Sequence, residues 1–434
     1  MSEKSNDRIL KWLHEQIDVW INDTLVSAEQ GKTLKDRYPL PVTATSLGTL
    51  IFFSIGAILV GLSAILMFAY NWDEFHKLGK LSIIFGSLVL SHISAVFLYR
   101  AHHKYLGETL HVLGTMLFGS GIFLIAQIYH IDKHYPNAFL IWAAAAGLFA
   151  WILPSKVHGI IASILALIWH ASEIIEFSNI NYWGPVFQFV VILVLSWRLR
   201  SKVLLAIGLI ALYITSFMSL WRVEDDAIIL PMLFCVSTAF IAIALLIHHT
   251  KYFPESSPVI SWISHIPYLF ILYLLTFPRS VKDIFNSNGL ESKFLFFIGA
   301  MIALLLWAFA LLVRIRKHIL SSRIDYMGIP LAVIIISLHT GGIIQLDGWP
   351  GAAFFNVLFL FHALMFISWG CRQLSVWHTV IGCFLIVLLG ATRFTDLFES
   401  LLMRGAVFLV IGIGIFLTGF LYARTKKSKG MVPA

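Results

Sequence analysis

The sequence predicts an all-α fold: a polytopic transmembrane helical bundle of about 14 spans, preceded by a short cytoplasmic helical hairpin. Three observations predict it. Of the 434 residues, 59% are hydrophobic and only 12% are charged, about half the charged share of an ordinary soluble domain. The mean hydropathy is +0.85. The apolar residues also come in continuous runs of about 20, the length that crosses a bilayer as a helix. A membrane β-barrel would show alternation instead.

Residues 1–44 form a polar leader, with no apolar core and too many charges for a secretory signal. Within it Ile9, Leu13, Ile17 and Trp20, with Trp12 nearby, recur at helical spacing and predict an amphipathic helix. Ser27 followed by Gln30 is a capping-box pattern that starts a second short helix. Tyr38-Pro39-Leu40-Pro41 ends it. The hairpin is expected in the cytoplasm, where it could dock on the membrane surface or on a protein partner.

Residues 45–422 form the transmembrane domain. Its expected spans are 45–70, 79–99, 106–130, 136–153, 157–172, 181–198, 203–221, 227–248, 257–278, 293–313, 326–345, 352–370, 375–391 and 401–422. The links are short, so consecutive spans are expected to pack antiparallel. Residues 423–434 are a basic cytoplasmic tail. With the leader inside and strict alternation, about 22 of the 31 Lys and Arg fall on the cytoplasmic side and about 9 outside. This bias predicts that both ends are cytoplasmic and that the number of spans is even. It also explains the net charge of +8 without nucleic acid.

Two packing signals stand out. Gly405, Gly412 and Gly419 recur every seven residues in the last span, and Gly114, Gly119 and Gly121 cluster in the third. Small residues on one face let helix backbones approach. Ser155-Lys156-Val157-His158, entering the fifth span, is similar to Ser375-Val376-Trp377-His378, entering the thirteenth. Each span is followed by an acid at the same offset, Glu176 and Asp396. A parallel repeat of a transporter type would look like this, and so would chance similarity between Leu- and Ile-rich segments.

Ionisable groups inside a bilayer are costly, so their positions matter. The densest run is QIYHIDKHYP at residues 127–136. On a helix, His130 and His134 would share a face and Asp132 would point away. Pro136 is expected in the first turn of the next helix, which makes residues 131–135 a tight loop. No zinc-protease or other metal pattern surrounds them, so no metal site is predicted. Cys235, Cys371 and Cys383 sit in or beside apolar runs without C-x-x-C spacing, which argues against disulfides and zinc ribbons. No cofactor is predicted. His92, Glu108 and His111 lie toward the cytoplasmic ends of their spans, and His265 and His362 nearer the midplane. The residues singled out for a substrate or proton pathway are Gln127, Tyr129, His130 and Asp132, with His170, Glu173, Arg393 and Asp396. Arg393 and Asp396 also fit a simple i, i+3 ion pair.

The run GSGIFLIAQIYHIDKHYPNAFLIWAAAAGLFAWILPS, the leader with Leu25-Val26-Ser27 and Glu29-Gln30 ahead of Tyr38, and the YNWDEFHKLGK loop together resemble the bacterial membrane-protein family labelled domain of unknown function 2157. The closing RFTDLFESLLMRGAVFLVIGIG is similar in style. The resemblance implies a bacterial inner-membrane protein with a short cytoplasmic leader. It implies no reaction, and it highlights Gln127, Tyr129, His130, Phe139, Trp142, Arg393 and Asp396.

Three function classes follow from these readings. The leading one is a transporter or a lipid or small-molecule carrier with a polar vestibule on the extracytoplasmic side. The second is a structural or regulatory module acting through its leader. The third is an intramembrane enzyme on a lipid-linked substrate, but no nucleophile elbow, P-loop or dinucleotide fingerprint is present. The sequence therefore leans away from an enzyme and assigns no catalytic residue.

Overall fold

A computed structural model describes residues 3–38, 76–131, 134–222, 229–248, 250, 252–285, 290–316, 324–346 and 348–396, with Leu59, Leu409, 412–414 and 416–420. Among the described residues the regular structure is helical throughout. The chain divides into two compact units, Met1–Ile131 and Asp132–Ala434.

The first unit opens with α1 (Glu3–Asn22) and α2 (Ala28–Arg37). The predicted capping box is present. The Gln30 N–H donates to Ser27 Oγ at 3.2 Å, and the Ser27 N–H donates to Gln30 Oε1 at 3.0 Å. Ile17 is buried and, with Ile21, lies against Gly31 of α2, where a side chain would collide. Lys35 pairs with Asp18 at 2.5 Å and His14 Nε2 donates to the Tyr38 carbonyl at 2.6 Å. Both contacts are exposed, so apolar packing holds the hairpin and the ion pair adds little.

Next come α3 (Lys77–Arg100) and α4 (Lys104–Tyr129), packed as an antiparallel pair. Glycine sets their separation. A Cβ at Gly107 would come within 2.6 Å of the Tyr99 ring, one at Gly114 within 2.6 Å of His92, and one at Gly121 within 2.9 Å of Ile84. These three glycines recur every seven residues and make one seam. Two polar contacts cross it: Ser91 Oγ–H donates to the Leu110 carbonyl at 2.7 Å, and the Nδ1 atoms of His92 and His111 lie 2.9 Å apart. Phe85, Val89, Leu90 and Phe97 face outward, as lipid-facing side chains do.

The second unit contains α5 (Pro136–Ile152), α6 (Lys156–Ile175), α7 (Trp183–Arg198), α8 (Lys202–Trp221), α9 (Ile229–Ile247) and α10 (Ser256–Leu274). It continues with α11 (Pro278–Phe285), α12 (Leu290–Arg316), α13 (Ile324–Thr340), α14 (Trp349–Gln373) and α15 (Val376–Asp396). Serine N-caps start several of them. Ser155 accepts from the His158 N–H and Ser201 from the Leu204 N–H, each at 3.3 Å. The α5–α6 pair is the most closely fitted, because small residues line both faces: Ala143, Ala146, Gly147 and Ala150 on α5, Gly159, Ala162, Ser163 and Ala166 on α6, all buried. Both sets follow i, i+3, i+4, i+7 spacing, the signature of one helix face.

A larger apolar core joins α9, α10, α12, α13 and α14 around Phe234, Tyr268, Trp307, Phe355 and Phe359. At its centre Tyr268 and His362, both buried, meet at 2.9 Å. His362 Nδ1–H donates to the Leu358 carbonyl at 2.8 Å, which leaves Nε2 of the neutral ring to accept the Tyr268 hydroxyl proton. A Cβ on Gly328 of α13 would come within 2.8 Å of the same ring. One polar pair thus fixes the fit of three helices.

Eight helices are long and apolar enough to cross a membrane: α3, α4, α6, α8, α9, α10, α12 and α14. Four shorter apolar ones, in α5, α7, α13 and α15, complete the set among the described residues. The chain is a membrane protein of many apolar helices. The expected spans 45–70 and 401–422 fall largely outside the described residues, as does the 423–434 tail. Two features were not anticipated. α11 is a separate short helix whose Val281 is buried in the core. Within α7, residues Gln188–Leu193 wind as a π-helix just after Pro185, whose missing N–H already interrupts α-helical bonding. The two Ser-x-x-His segments do adopt one local arrangement: Ser155 Oγ lies 2.9 Å from His158 Nδ1, and Ser375 Oγ 2.6 Å from His378 Nδ1.

Replacing Tyr268 by Phe strips the donor from a buried imidazole, which should cost about 1–3 kcal/mol. Replacing both partners by apolar residues, as Tyr268→Phe with His362→Leu, should recover part of the loss. Thermal unfolding in detergent monitored by tryptophan fluorescence checks this, and a double variant no better than the single would contradict it.

Candidate functional site

The run QIYHIDKHYP is divided between the two units. α4 ends at Tyr129, and His130 takes the left-handed conformation (φ 51, ψ 48) that commonly terminates a helix. The Ile131 N–H closes back onto the Ala126 carbonyl at 2.8 Å. Gln127, Tyr129 and His130 are exposed, and the Lys77 ammonium lies 5.6 Å from the Tyr129 ring centre. Asp132 lies outside the described residues. The chain resumes at His134, and Pro136 occupies the first turn of α5 as expected, where a missing N–H costs nothing.

In the second unit His134 meets an acid. Its Nε2 is 2.6 Å from Glu173 Oε1, with the histidine side chain 33% exposed and the glutamate 9%. Asn179 Nδ2 donates to the other carboxylate oxygen, Oε2, at 2.9 Å, and the Asn179 N–H donates to the Glu173 carbonyl at 3.0 Å. Both oxygens of one carboxylate are therefore engaged near the end of α6. Phe177 closes on the His134 ring edge-on, 4.4 Å between centroids. Tyr135 hydrogen-bonds to Glu176 and to Ser172. The Glu176 contact raises the phenol above its ordinary pKa, partly offset by Ser172, so Tyr135 remains a neutral donor at neutral pH. Arg222, just past α8, donates from Nε at 3.1 Å and Nη2 at 2.5 Å to the Ile174 carbonyl. A cation there satisfies a terminal carbonyl and complements the negative end of the α6 dipole.

One turn back along the same face of α6 lies His170, fully buried. Its Nε2–H donates to the Thr215 carbonyl at 3.0 Å, with Ser219 Oγ 3.3 Å away. A carbonyl can only accept, so the proton of the neutral ring sits on Nε2 and Nδ1 is a bare acceptor. Nδ1 has no partner among the described residues, and it lies against Gly184 of α7, where any Cβ would overlap the ring. Ser219 Oγ–H also reaches the Asn181 carbonyl at 2.7 Å, tying the link before α7 to α8. Further along α6, Ser163 Oγ–H donates to Gln188 Oε1 at 2.8 Å, and Gln188 Nε2 donates to the Ser163 carbonyl at 2.9 Å. This closed ring sits at the start of the π-helical turn.

Of the residues singled out in the sequence, His170 and Glu173 thus belong to one cluster on α6. Gln127, Tyr129 and His130 end α4 in the first unit. Arg393 and Asp396 occupy the last turn of α15, and their side chains lie outside the described residues. The cluster draws in His134, Asn179, Thr215, Ser219 and Arg222, which sequence reasoning did not select. His134 stood in the right motif, and its position two residues before a helix-starting proline was the available signal. Among the described residues no group of three or more His, Cys, Asp or Glu side chains is disposed to hold a metal ion. The chemistry on offer is proton exchange between imidazole and carboxylate, beside a second imidazole with a free acceptor nitrogen.

Gly184→Ala should force His170 off its carbonyl partner and destabilise the fold by about 1–3 kcal/mol. Gly86→Ala on α3, with nothing within 4 Å of its added methyl, should be neutral or slightly stabilising. Unfolding midpoints of the two variants, measured side by side in detergent, decide this, and equal midpoints would count against the packing described.

No curated protein and no solved structure matches the chain. Residues 18–159, less than half of the chain, take in α2, α3, α4 and α5 and the whole His130–Pro136 link, and they match a family model described as "Predicted membrane protein (DUF2157)".

Proposed function

We propose that this chain is a multi-pass inner-membrane carrier for a small solute or a lipid-derived molecule, exchanging a proton at the His134–Glu173 pair. The observation that carries the reading is that pair. An imidazole and a carboxylate at 2.6 Å sit at a helix end, with the histidine partly open to the surroundings and the acid largely enclosed. A proton entering this pair from water has a second acceptor one turn deeper in His170. On this reading, protonation of the Glu173 carboxylate removes its charge and loosens the His134 contact with α6, and a polar solute entering the vestibule competes for Asn179 and Glu173. The excess of Lys and Arg in alternate links supports a vestibule on the extracytoplasmic side, with both ends of the chain in the cytoplasm.

A second reading rests on the leader. Trp12 is 56% exposed, Val19 45% and Leu25 72%, although Ile17 on the same hairpin is buried. Apolar side chains left uncovered on a polar hairpin suit a regulatory or scaffolding module that docks a cytoplasmic protein.

Purified protein in liposomes separates the two. The carrier reading expects solute flux that responds to a pH gradient, cut at least tenfold by Glu173→Gln or His134→Ala and largely retained after removal of residues 1–44. Absence of flux across a broad solute panel, or Glu173→Gln flux equal to wild type, would reject it. Activity in cells that is lost with residues 1–44, while membrane insertion persists, would favour the module.

A further inference from the structure

The opposite end of the α5–α8 group carries different chemistry. α5 ends there in Trp151 and α7 in Trp197 and Arg198, and a three-residue link leads to Lys202 at the start of α8. Ser201 caps α8, and Arg200 holds a left-handed conformation (φ 47), so the link is a fixed turn. Arg198 Nη1 donates to the Trp151 carbonyl at 3.1 Å, with its guanidinium 5.3 Å from the Trp151 ring centre. The Arg200 guanidinium lies 4.1 Å from the Tyr252 ring centre. Trp197 stacks on Tyr252 at 6.1 Å and meets Phe253 edge-on at 5.7 Å.

Charge is distributed unevenly over this surface. Lys202 is paired with Glu255 at 3.0 Å. Neither exposed guanidinium is paired with a carboxylate among the described residues, so Arg198 and Arg200 leave positive charge uncompensated, with the exposed Lys156 at the start of α6 on the same end. Stacking against an aromatic face holds a guanidinium flat while leaving N–H groups for another partner. A planar fork of N–H donors matches a phosphate better than a point charge does. Tryptophan and tyrosine beside basic residues at the ends of apolar helices are the composition of the headgroup layer. A soluble anion would use the two arginines alone, whereas a lipid uses the arginines and the rings together.

We propose that this surface binds the phosphate of an anionic phospholipid, with Arg198 and Arg200 on the headgroup and Trp151, Trp197 and Tyr252 along the glycerol and first methylenes. The site is independent of the carrier reading. The test reconstitutes the full chain in nanodiscs of phosphatidylcholine with a minor fraction of phosphatidylglycerol and measures the lipid retained on purified protein by mass spectrometry. Wild type should be enriched in phosphatidylglycerol. Each basic residue near the surface contributes roughly fivefold, so Arg200→Gln should lose about fivefold of the enrichment and Arg198→Gln with Arg200→Gln about twentyfold or more. Arg372→Gln, a cation on α14, should match wild type. Enrichment in wild type should also fall as salt rises, which keeps the test decisive if the double variant does not fold. No preference in wild type, wild-type enrichment in Arg200→Gln, or salt-independent enrichment would overturn the proposal. Displacement of the lipid by inorganic phosphate at constant ionic strength would assign the arginines to a soluble anion and overturn it as well.

Discussion

Lipid offers no hydrogen bonds, so every polar group carried into the apolar layer must find its partner inside the protein. Most of the small hydroxyls comply locally. Thr115 donates to the His111 carbonyl, Thr215 to Ala211, Ser237 to Leu233, Ser337 to Val333 and Thr340 to Ile336, each one turn back on its own helix. Such bonds satisfy a side chain without joining two helices. Among the described residues other contacts cross between helices and are correspondingly specific, among them Ser91 to Leu110, His92 with His111, His170 to Thr215, Ser257 to Ala244, Trp307 to Thr238, Ser163 with Gln188, and Tyr268 with His362.

The apolar surroundings also bear on what holds helices together. Apolar burial cannot drive helices together when the surrounding solvent is itself apolar, so close backbone approach and dispersion contacts take over. Many large side chains, such as Phe85, Phe97, Leu305 and Phe309, are therefore outside, although Phe234, Tyr268, Trp307, Phe355 and Phe359 fill the core of the second unit. Inside are the alanine and glycine faces of α5 and α6 and the heptad glycines of α4, each set against a ring or a branched side chain of its neighbour. A methyl group added at Gly114 or Gly184 meets an imidazole, which couples packing directly to the polar contacts.

Much of this was legible in the sequence, for physical reasons that are local. Ser27 with Gln30 and Pro136 after Tyr135 act over a single helical turn, and each starts the helix it predicts; Ser155, read in the sequence only as part of a possible repeat, caps α6. Long apolar runs identify helices because length and hydropathy need no partner to be read. The face of a helix is harder, because it depends on what packs against it. The glycines at 107, 114 and 121 share a heptad, yet the eye is drawn to the closer trio at 114, 119 and 121. α11 is too short and too polar to stand out, although Val281 is fully buried. The π-helical turn has only Pro185 to announce it. Most of all, the sequence does not reveal that His134 meets Glu173 across 39 positions. Histidines 130 and 134 share one motif, and only the left-handed end of α4 and the proline start of α5 give them different surroundings.

The depth of each polar group completes the argument. An ionised side chain at the bilayer centre costs about 2.5–3.5 kcal/mol on insertion scales, while one near a helix end costs far less. The groups well inside the helices are arranged to remain neutral. Gln188 closes a ring with Ser163, and His362 has one nitrogen donating to Leu358 and the other facing Tyr268. Ionisable groups lie at the ends: Glu173 and Glu176 near the close of α6, His134 before α5, Arg222 after α8, and Arg198 and Arg200 at the far side. His170 lies between these classes. It is buried like a structural residue, and it keeps one ring nitrogen unsatisfied like a functional one. A purely structural imidazole would gain by bonding that nitrogen, since an unsatisfied buried acceptor costs about 1–3 kcal/mol. That the cost is carried one turn from the His134–Glu173 pair is the physical reason to look for proton movement there.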